Sequence, residues 1–384
     1  MRNRQRGLLR AAGYMVILWF FGSGACGFSE EQPAESGRRK FATPVTDAGA
    51  QWVREEKPWA GCGVSAYLDG PRAEMCCRNA PSIRWWFEPG GDFTIRRYNP
   101  RNERFYTVAG RARGLLDGPF SRARFGGIGY MHDHTVASSP DGRFVYFTEP
   151  DMGGMLRVLD FEKQIVSTVS KDLRFVGIAA DSMGNLYGMN WGSLSIISPE
   201  GKVLETKKLE MPSNKGQTHT FQNVVLDERN NRLYASNRAS GDWTIWYWDL
   251  NADGRFVGVL PIPAENDPRR RTLNETGPFE GTVQRCPGGI SFGPDDPEKR
   301  FLYQGGGDNT TFYRLDLQKR MIDTFGPVNP SEKPPYKTLG WVQAKWLPFG
   351  SISKWCGTPS FDDEGNIYLG VSLGGTVIRF SRVK

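Results

Sequence analysis

Histidine is nearly missing from this chain, with three in 384 residues, and cysteine is sparse at six. There is no glycine-rich phosphate loop, no nucleophilic serine elbow and no Cys-x-x-Cys-His motif, so the commonest routes to nucleotide, acyl-transfer and c-type haem chemistry find no residues here. No stretch beyond the amino-terminal segment approaches the about 20 apolar residues of a spanning helix. A strong charge of one sign is lacking too. The chain is +7, but four bases are Arg2, Arg4, Arg6 and Arg10, in a stretch without acids; setting them aside leaves 45 bases against 42 acids. That balance is not the footprint of a nucleic-acid binder.

Those arginines belong to an export signal. They precede the apolar run Ala11–Phe21 and the small residues Ser23-Gly24-Ala25, in the order of a secretory leader. Residues 1–25 are therefore read as a signal peptide, and the mature chain as periplasmic, cell-surface or secreted. Gly24-Ala25-Cys26 resembles the end of a bacterial lipobox, in which Cys26 would carry lipid, although Ser23 stands where that motif usually has leucine. Lipidation and plain secretion both stay open. Residues 26–57 are polar and read as a tether that can supply a closing strand. Cysteine usage fits an exported protein: Cys62 precedes the adjacent Cys76 and Cys77 closely enough for a local bridge, and Cys286 can pair with Cys356, with connectivity left open by spacing alone.

What the chain does have is a repeated phrase: an apolar pair, a turn of Asp, Gly, Asn or Pro, then an apolar strand ending on tyrosine. It runs over 136–146, 178–187, 224–234, 290–303 and 359–368. Each copy reads as a two-strand hairpin. A third strand follows each, as in Thr244-Ile-Trp-Tyr-Trp248, and a fourth follows some, as in Ile165-Val-Ser-Thr-Val169. Four antiparallel strands recurring along a chain describe propeller blades. Aromatics at 12% supply a substantial core. A sixth, divergent copy lies between about 58 and 110. The expectation is an all-β, six-bladed propeller over 58–384, with blades at about 58–110, 126–170, 174–208, 218–262, 285–327 and 350–384. The last copy holds three strands, so a fourth is expected from around Phe41–Val45 or from just before Trp59.

Thr107-Val-Ala-Gly110, Leu116-Asp-Gly-Pro119, Ala123-Arg-Phe125 and the hairpin ending at Tyr146 resemble an NHL-type repeat. The resemblance covers one full repeat and implies a six-bladed propeller. It also implies that the residues just before each phrase crowd around a central funnel. These are His132, Asp133 and His134; Arg174; His219 and Asn223; Arg285 and Cys286; and Lys354, Trp355 and Cys356. His132 and His134 alternate on a strand and would share one face. With His219 they make a candidate site for a divalent metal, zinc or calcium, with an open position. His134 and the turn glycine eight residues on resemble a ligand segment of peptidyl-hydroxyglycine lyase, whose metal sits on three axial histidines. Asn223 stands where gluconolactonase-like propellers, similar in fold only, place an axial asparagine. In an enzyme, Arg174 or Arg285 would neutralise developing negative charge.

Two long connectors complete the picture, Pro261–Gln284 and Gly326–Gly350, the second carrying Trp341 and Trp346. Long loops in compact folds are often binding surfaces, and exposed indoles stack on sugars or anchor partners. The leading expectation is an exported, monomeric binding module. It would hold an anionic or carbohydrate ligand, or a partner protein, through Asn223, Lys354, Trp355, Trp341 and Trp346. The alternative is a metal-dependent lyase or hydrolase.

Overall fold

Two matching turns are each opened by an aspartate whose carboxylate bends the chain. Asp181 Oδ1 accepts the backbone N–H of Met183 at 3.0 Å and of Asn185 at 2.7 Å. Asp362 Oδ1 accepts those of Glu364 and Asn366, both at 2.9 Å. A carboxylate that stands in for a backbone acceptor fixes a tight turn. Gly184 and Gly365 then make the left-handed step, at φ +87° and +79°. Each turn joins two antiparallel strands, and this hairpin is the unit of the fold.

In the computed structural model the structure describes residues 52–54, 59–60, 70–72, 87–90, 94–99, 101–110, 112–126, 136–149, 155–213, 221–237, 242–270, 277–282, 288–293, 296–305, 312–325, 358–362, 364–371 and 376–382. They form six antiparallel sheets, the blades of a six-bladed all-β propeller. The first strand, β1 (Trp52–Arg54), belongs to the last blade. Blade 1 comprises β2 (Gly70–Pro71), β3 (Phe87–Gly90), β4 (Thr94–Asn99) and β5 (Arg104–Gly110), in the order β2-β5-β4-β3. Blade 2 comprises β6 (Gly118–Pro119), β7 (Val136–Ser138), β8 (Phe144–Glu149), β9 (Met155–Asp160) and β10 (Ile165–Arg174), in the order β6-β10-β9-β8-β7. Blade 3 runs in simple sequence through β11 (Gly177–Ala180), β12 (Leu186–Asn190), β13 (Ser193–Ile197) and β14 (Val203–Lys208). Blade 4 does the same through β15 (Phe221–Asp227), β16 (Arg232–Asn237), β17 (Trp243–Asp249) and β18 (Phe256–Pro261). Blade 5 comprises β19 (Gly277–Pro278), β20 (Ile290–Phe292), β21 (Phe301–Gly305), β22 (Phe312–Asp316) and β23 (Met321–Phe325), in the order β19-β23-β22-β21-β20. Blade 6 comprises β24 (Ser360–Phe361), β25 (Ile367–Val371) and β26 (Thr376–Arg382), with β1 outside β26.

Neighbouring blades meet along their innermost strands. β7 lies beside β11, β11 beside β15, and β15 beside β20. The approach is close enough to require glycine: a Cβ on Gly289, just ahead of β20, would sit 2.0 Å from the Thr358 hydroxyl ahead of β24. The tyrosine that ends the repeated phrase faces the next blade. Tyr146 donates to the Pro199 carbonyl of blade 3 at 3.2 Å. Tyr234 meets Phe292 of blade 5 edge-on, with centroids 5.5 Å apart, and Tyr303 meets Phe361 of blade 6 at 4.9 Å. Tyr368 meets Trp59 at 4.8 Å, and Trp59 meets Tyr98 of blade 1 at the same distance. The tyrosine therefore recurs because each seam needs a large flat side chain with one polar tip.

The ring closes through the amino-terminal strand. β1 pairs with β26 in antiparallel register from Trp52 opposite Arg382 to Arg54 opposite Phe380. The Trp59 N–H donates to the Val377 carbonyl at 2.7 Å. A closed ring leaves no open sheet edge between the first and last blades.

A second repeat emerges that the hairpin phrase hides. Gly70-Pro71, Gly118-Pro119 and Gly277-Pro278 each pair with the outermost strand of a blade: β5, β10 and β23. Proline, lacking an N–H, suits a sheet edge. Part of the connector read as a free loop, Pro261–Gln284, is thus a fifth strand of blade 5. Phe279, just beyond it, is fully buried. The connector Gly326–Gly350 lies outside the described residues.

Candidate functional site

Strand direction divides the ring into two ends. The lower end carries the turns between the first and second strands of each blade, and between the third and fourth. The upper end carries the connectors that lead into each blade and the turns between second and third strands. The residues singled out in the sequence lead into blades, so they concern the upper end.

Two of those residues are described. Arg174 ends β10 and is exposed; its Cα pairs across Met155 of β9. Asn223 lies in β15 and is fully buried. Its carboxamide donates to the Ile290 carbonyl and accepts the Ile290 N–H, both at 2.7 Å, and also accepts the Ser236 hydroxyl at 3.2 Å. A carboxamide used this way imitates a peptide group and joins the innermost strands of blades 4 and 5. Asn223 is committed to that seam, and Arg174 lies exposed at the end of β10. The structure does not bring the two together, since they serve different blades. His132, His134, His219, Arg285, Lys354, Trp355, Trp341, Trp346, Cys26, Cys62, Cys76, Cys77, Cys286 and Cys356 lie outside the described residues. Among the described residues no group of three or more His, Cys, Asp or Glu is placed to hold a metal.

Below the upper end of blade 2 lies a buried ion pair. Glu149 ends β8, Arg157 sits in β9, and both side chains are fully shielded from solvent. The Arg157 guanidinium bonds the Glu149 carboxylate, the carbonyls of Arg124 at 2.8 Å and Leu116 at 2.9 Å, and Asp117 at 2.8 Å. The other Glu149 oxygen accepts the Gly126 N–H at 2.6 Å. Burial pushes the Glu149 carboxyl upward, and the Arg157 guanidinium works against that shift. The two side chains thus pin the whole 116–126 connector to blade 2. Charge here organises a loop; it is not offered to a ligand.

One exposed aromatic was not anticipated. Trp191 occupies the tight turn between β12 and β13 and is 49% exposed. Its N–H is held by Asn190 Oδ1 at 2.8 Å, and Gly192 follows with φ +77°. Gly177, at the head of β11, pairs with Met189, so this turn and the connector carrying Arg174 share the upper end of blade 3. A tryptophan in a two-residue turn, Trp191-Gly192 after Asn190, is the sequence signal that was available. Turns favour small polar residues, and an indole adds nothing to bending the chain.

No protein-family model matches the chain, and no curated protein is similar to it in sequence. Solved structures of similar fold do exist. An auxiliary nutrient binding protein from Bacteroides thetaiotaomicron aligns with a TM-score of 0.56 at 12% identity, over 87% of this chain and 77% of that one. An auxiliary nutrient binding protein from Bacteroides ovatus aligns with a TM-score of 0.55 at 12% identity, over 87% of this chain and 78% of that one. At such identity the likeness shows the six-bladed fold alone.

Proposed function

We propose that the protein is an exported binding propeller that holds a small soluble ligand, a saccharide or a small anion, at its upper end. The observation that carries this is Trp191, an indole half exposed on the tight turn between β12 and β13 at the upper end. Arg174, exposed at the same end, supplies a cation for a carboxylate or a polarised hydroxyl. Indole faces stack on the apolar faces of sugar rings. Export rests on the leader-like residues 1–25 and on the polar segment after them. The fold is shared with two proteins described as nutrient binding, which supports binding over chemistry without naming the ligand. Lys354, Trp355, Trp341 and Trp346 extend the same surface in this reading.

The test is a melting-temperature screen against neutral sugars, uronates and small carboxylates, followed by calorimetry on the best ligand. Trp191→Ala is expected to weaken binding about tenfold, the scale of a lost aromatic contact of 1–1.5 kcal/mol, with an unchanged melting temperature. Wild-type affinity in both Trp191→Ala and Arg174→Gln would sink the reading.

The second reading is a lyase or hydrolase using a divalent metal on His132, His134 and His219, with Arg174 or Arg285 beside it. It is favoured by where the described strands begin: β7 at Val136 and β15 at Phe221, each two residues after a histidine. Elemental mass spectrometry of protein purified without chelator, beside His134→Ala, decides it. One divalent ion per chain, lost in the variant, puts this reading first; no metal in either removes it.

A further inference from the structure

The lower end holds a cleft that neither reading uses. It opens between the β15–β16 turn of blade 4 and the β20–β21 turn of blade 5, with a volume of about 280 Å³. Its lining is dominated by four cations, Arg229, Arg232, Lys299 and Arg300, against one carboxylate, Glu298. Tyr234 closes it from the blade 4 side.

The cations are not equivalent. Arg300 is forked onto Asp316, with Nε at 3.0 Å from Oδ1, and Asp316 also accepts the N–H groups of Gln318 and Lys319. That charge is balanced. Arg229 donates only to the Pro297 carbonyl, at 3.2 Å. Lys299 places its ammonium 5.4 Å from the Phe292 ring. Arg232 stands directly opposite Asp249 in the ladder, yet its guanidinium leans along the strand, 4.6 Å over the Tyr247 ring. Its Nε is buried without an acceptor. Among the described residues Arg229, Arg232 and Lys299 form no ion pair. Three cations outside any ion pair thus converge where Glu298, exposed at the rim, is the lone carboxylate of the lining.

Backbone conformation fixes where the lysine stands. Gly142-Arg143-Phe144 in blade 2 and Lys299-Arg300-Phe301 in blade 5 occupy the same turn into the second strand. Glycine takes the left-handed step in blade 2, with φ +72°, and lysine takes it in blade 5, with φ +53°. A left-handed lysine is disfavoured against glycine, as are the same steps at Glu103, Gln164, Asn231 and Arg320 in other turns. Lysine at this step sets an ammonium on the lip of the cleft.

We infer that this cleft binds a phosphate or sulfate group carried by a small molecule, gripped by Arg232, Arg229 and Lys299 with the Tyr234 hydroxyl donating from below. Guanidinium forks match tetrahedral oxyanions in geometry and charge. Burial pushes the Tyr234 phenol up to about 12, with Arg232 opposing the shift, so the hydroxyl keeps its proton at neutral pH. The volume exceeds that of a bare oxyanion and lies near the lower bound of roughly 300 Å³ for small-molecule pockets, which suits an esterified sugar or a molecule of that size.

Calorimetry with inorganic phosphate, inorganic sulfate, glucose 6-phosphate and glucose tests this directly. Heat is expected with the first three and none with glucose. A tighter ester shows that the cleft also holds the organic part; equal affinities show that the free oxyanion suffices. Arg232→Gln is expected to weaken binding about tenfold, the loss of one charge-assisted hydrogen bond. Lys299→Gly is expected to weaken binding while raising the melting temperature, because it removes a left-handed side chain. Arg143→Gln, on another blade, leaves binding unchanged. No heat with phosphate, sulfate or glucose 6-phosphate at millimolar concentration overturns the inference, as does wild-type affinity in Lys299→Gly. The outcome is independent of Trp191 and Arg174 at the upper end.

Discussion

Blades 2 and 4 share their hairpin, the tyrosine of their second strand and the aspartate that ends their third, and they use the arginine after the turn in different ways. In blade 2 Arg143 reaches Asp160 at 3.4 Å and Glu162 at 2.7 Å and covers Phe144. In blade 4 the turn has the same length, but the left-handed step comes one residue later, at Asn231, and the arginine stands one position later too, as Arg232 in the ladder opposite Asp249. The guanidinium then lies over Tyr247 and faces a cleft. A one-residue shift of the arginine along an unchanged turn thus converts a structural cation into an available one. The buried polar groups differ in the same sense. Blade 2 buries a full ion pair, Glu149–Arg157, and blade 4 buries a neutral amide, Asn223. Both tie down backbone, but only the charged version leaves a stranded charge when one partner is lost.

Removing a partner from that pair sharpens the contrast most. Arg157→Met leaves Glu149 buried without a counterion and is expected to cost about 3–5 kcal/mol in urea unfolding. A cost below that of the amide variant would place the loop contacts outside the stability of blade 2. Asn223→Ala strands the N–H and carbonyl of Ile290 and is expected to cost about 1–3 kcal/mol, with loosened hydrogen exchange at the seam of blades 4 and 5. The arginines come next. Arg300→Gln, on a largely buried partner, is expected to lose about 1 kcal/mol, whereas Arg232→Gln stays within about 0.5 kcal/mol of wild type. Equal losses would break the distinction between committed and available cations. The smallest effect is in acid. Burial pushes the Asp316 carboxyl up, but the Arg300 fork and the Lys319 and Gln318 amides outweigh it and hold it below the usual range. Asp160 is held low in the same way by the Lys163 amide and Arg143. Their contribution is therefore present above the unfolded value of about 3.9 and is lost as pH falls through the lower folded values. Melting temperature measured from pH 6 downward is expected to fall below about pH 4, and to fall less steeply in Asp316→Asn.

The propeller was legible because its information is local. A hairpin needs alternating apolar residues and a turn, and both lie within ten or so residues of each other, so Val224–Tyr234 announces β15 and β16 unaided. The Gly-Pro strands were partly visible: Leu116-Asp-Gly-Pro119 drew notice, while its echo Leu68-Asp-Gly-Pro71 and the looser Gly277-Pro278 gained meaning only from their pairing with β5 and β23. Asn223 looked like an axial ligand because spacing places it at the head of an inner strand; its partner, Ile290, comes from another blade and carries no polar side chain to signal the contact. The lower cleft was illegible for the same reason. Arg232, at the start of β16, and Lys299, in a turn, are ordinary residues until the ring sets two blades side by side, and a one-residue shift in where the arginine follows the turn alters where it leads without altering composition.

Ring closure by β1 has a consequence for the order in which the molecule is made. The strand synthesised first in the described ring pairs with the strand synthesised last, so β1 waits for almost the entire chain before it finds β26. The entropy of closing so long a loop grows only slowly with length, but the delay during synthesis or translocation is set by the chain behind it. Until then blade 6 is an edge without a cover and Trp59 lacks Tyr368. Completion of the ring is therefore a late checkpoint: a chain halted anywhere before Thr376 keeps its early hairpins and yet never becomes a closed object.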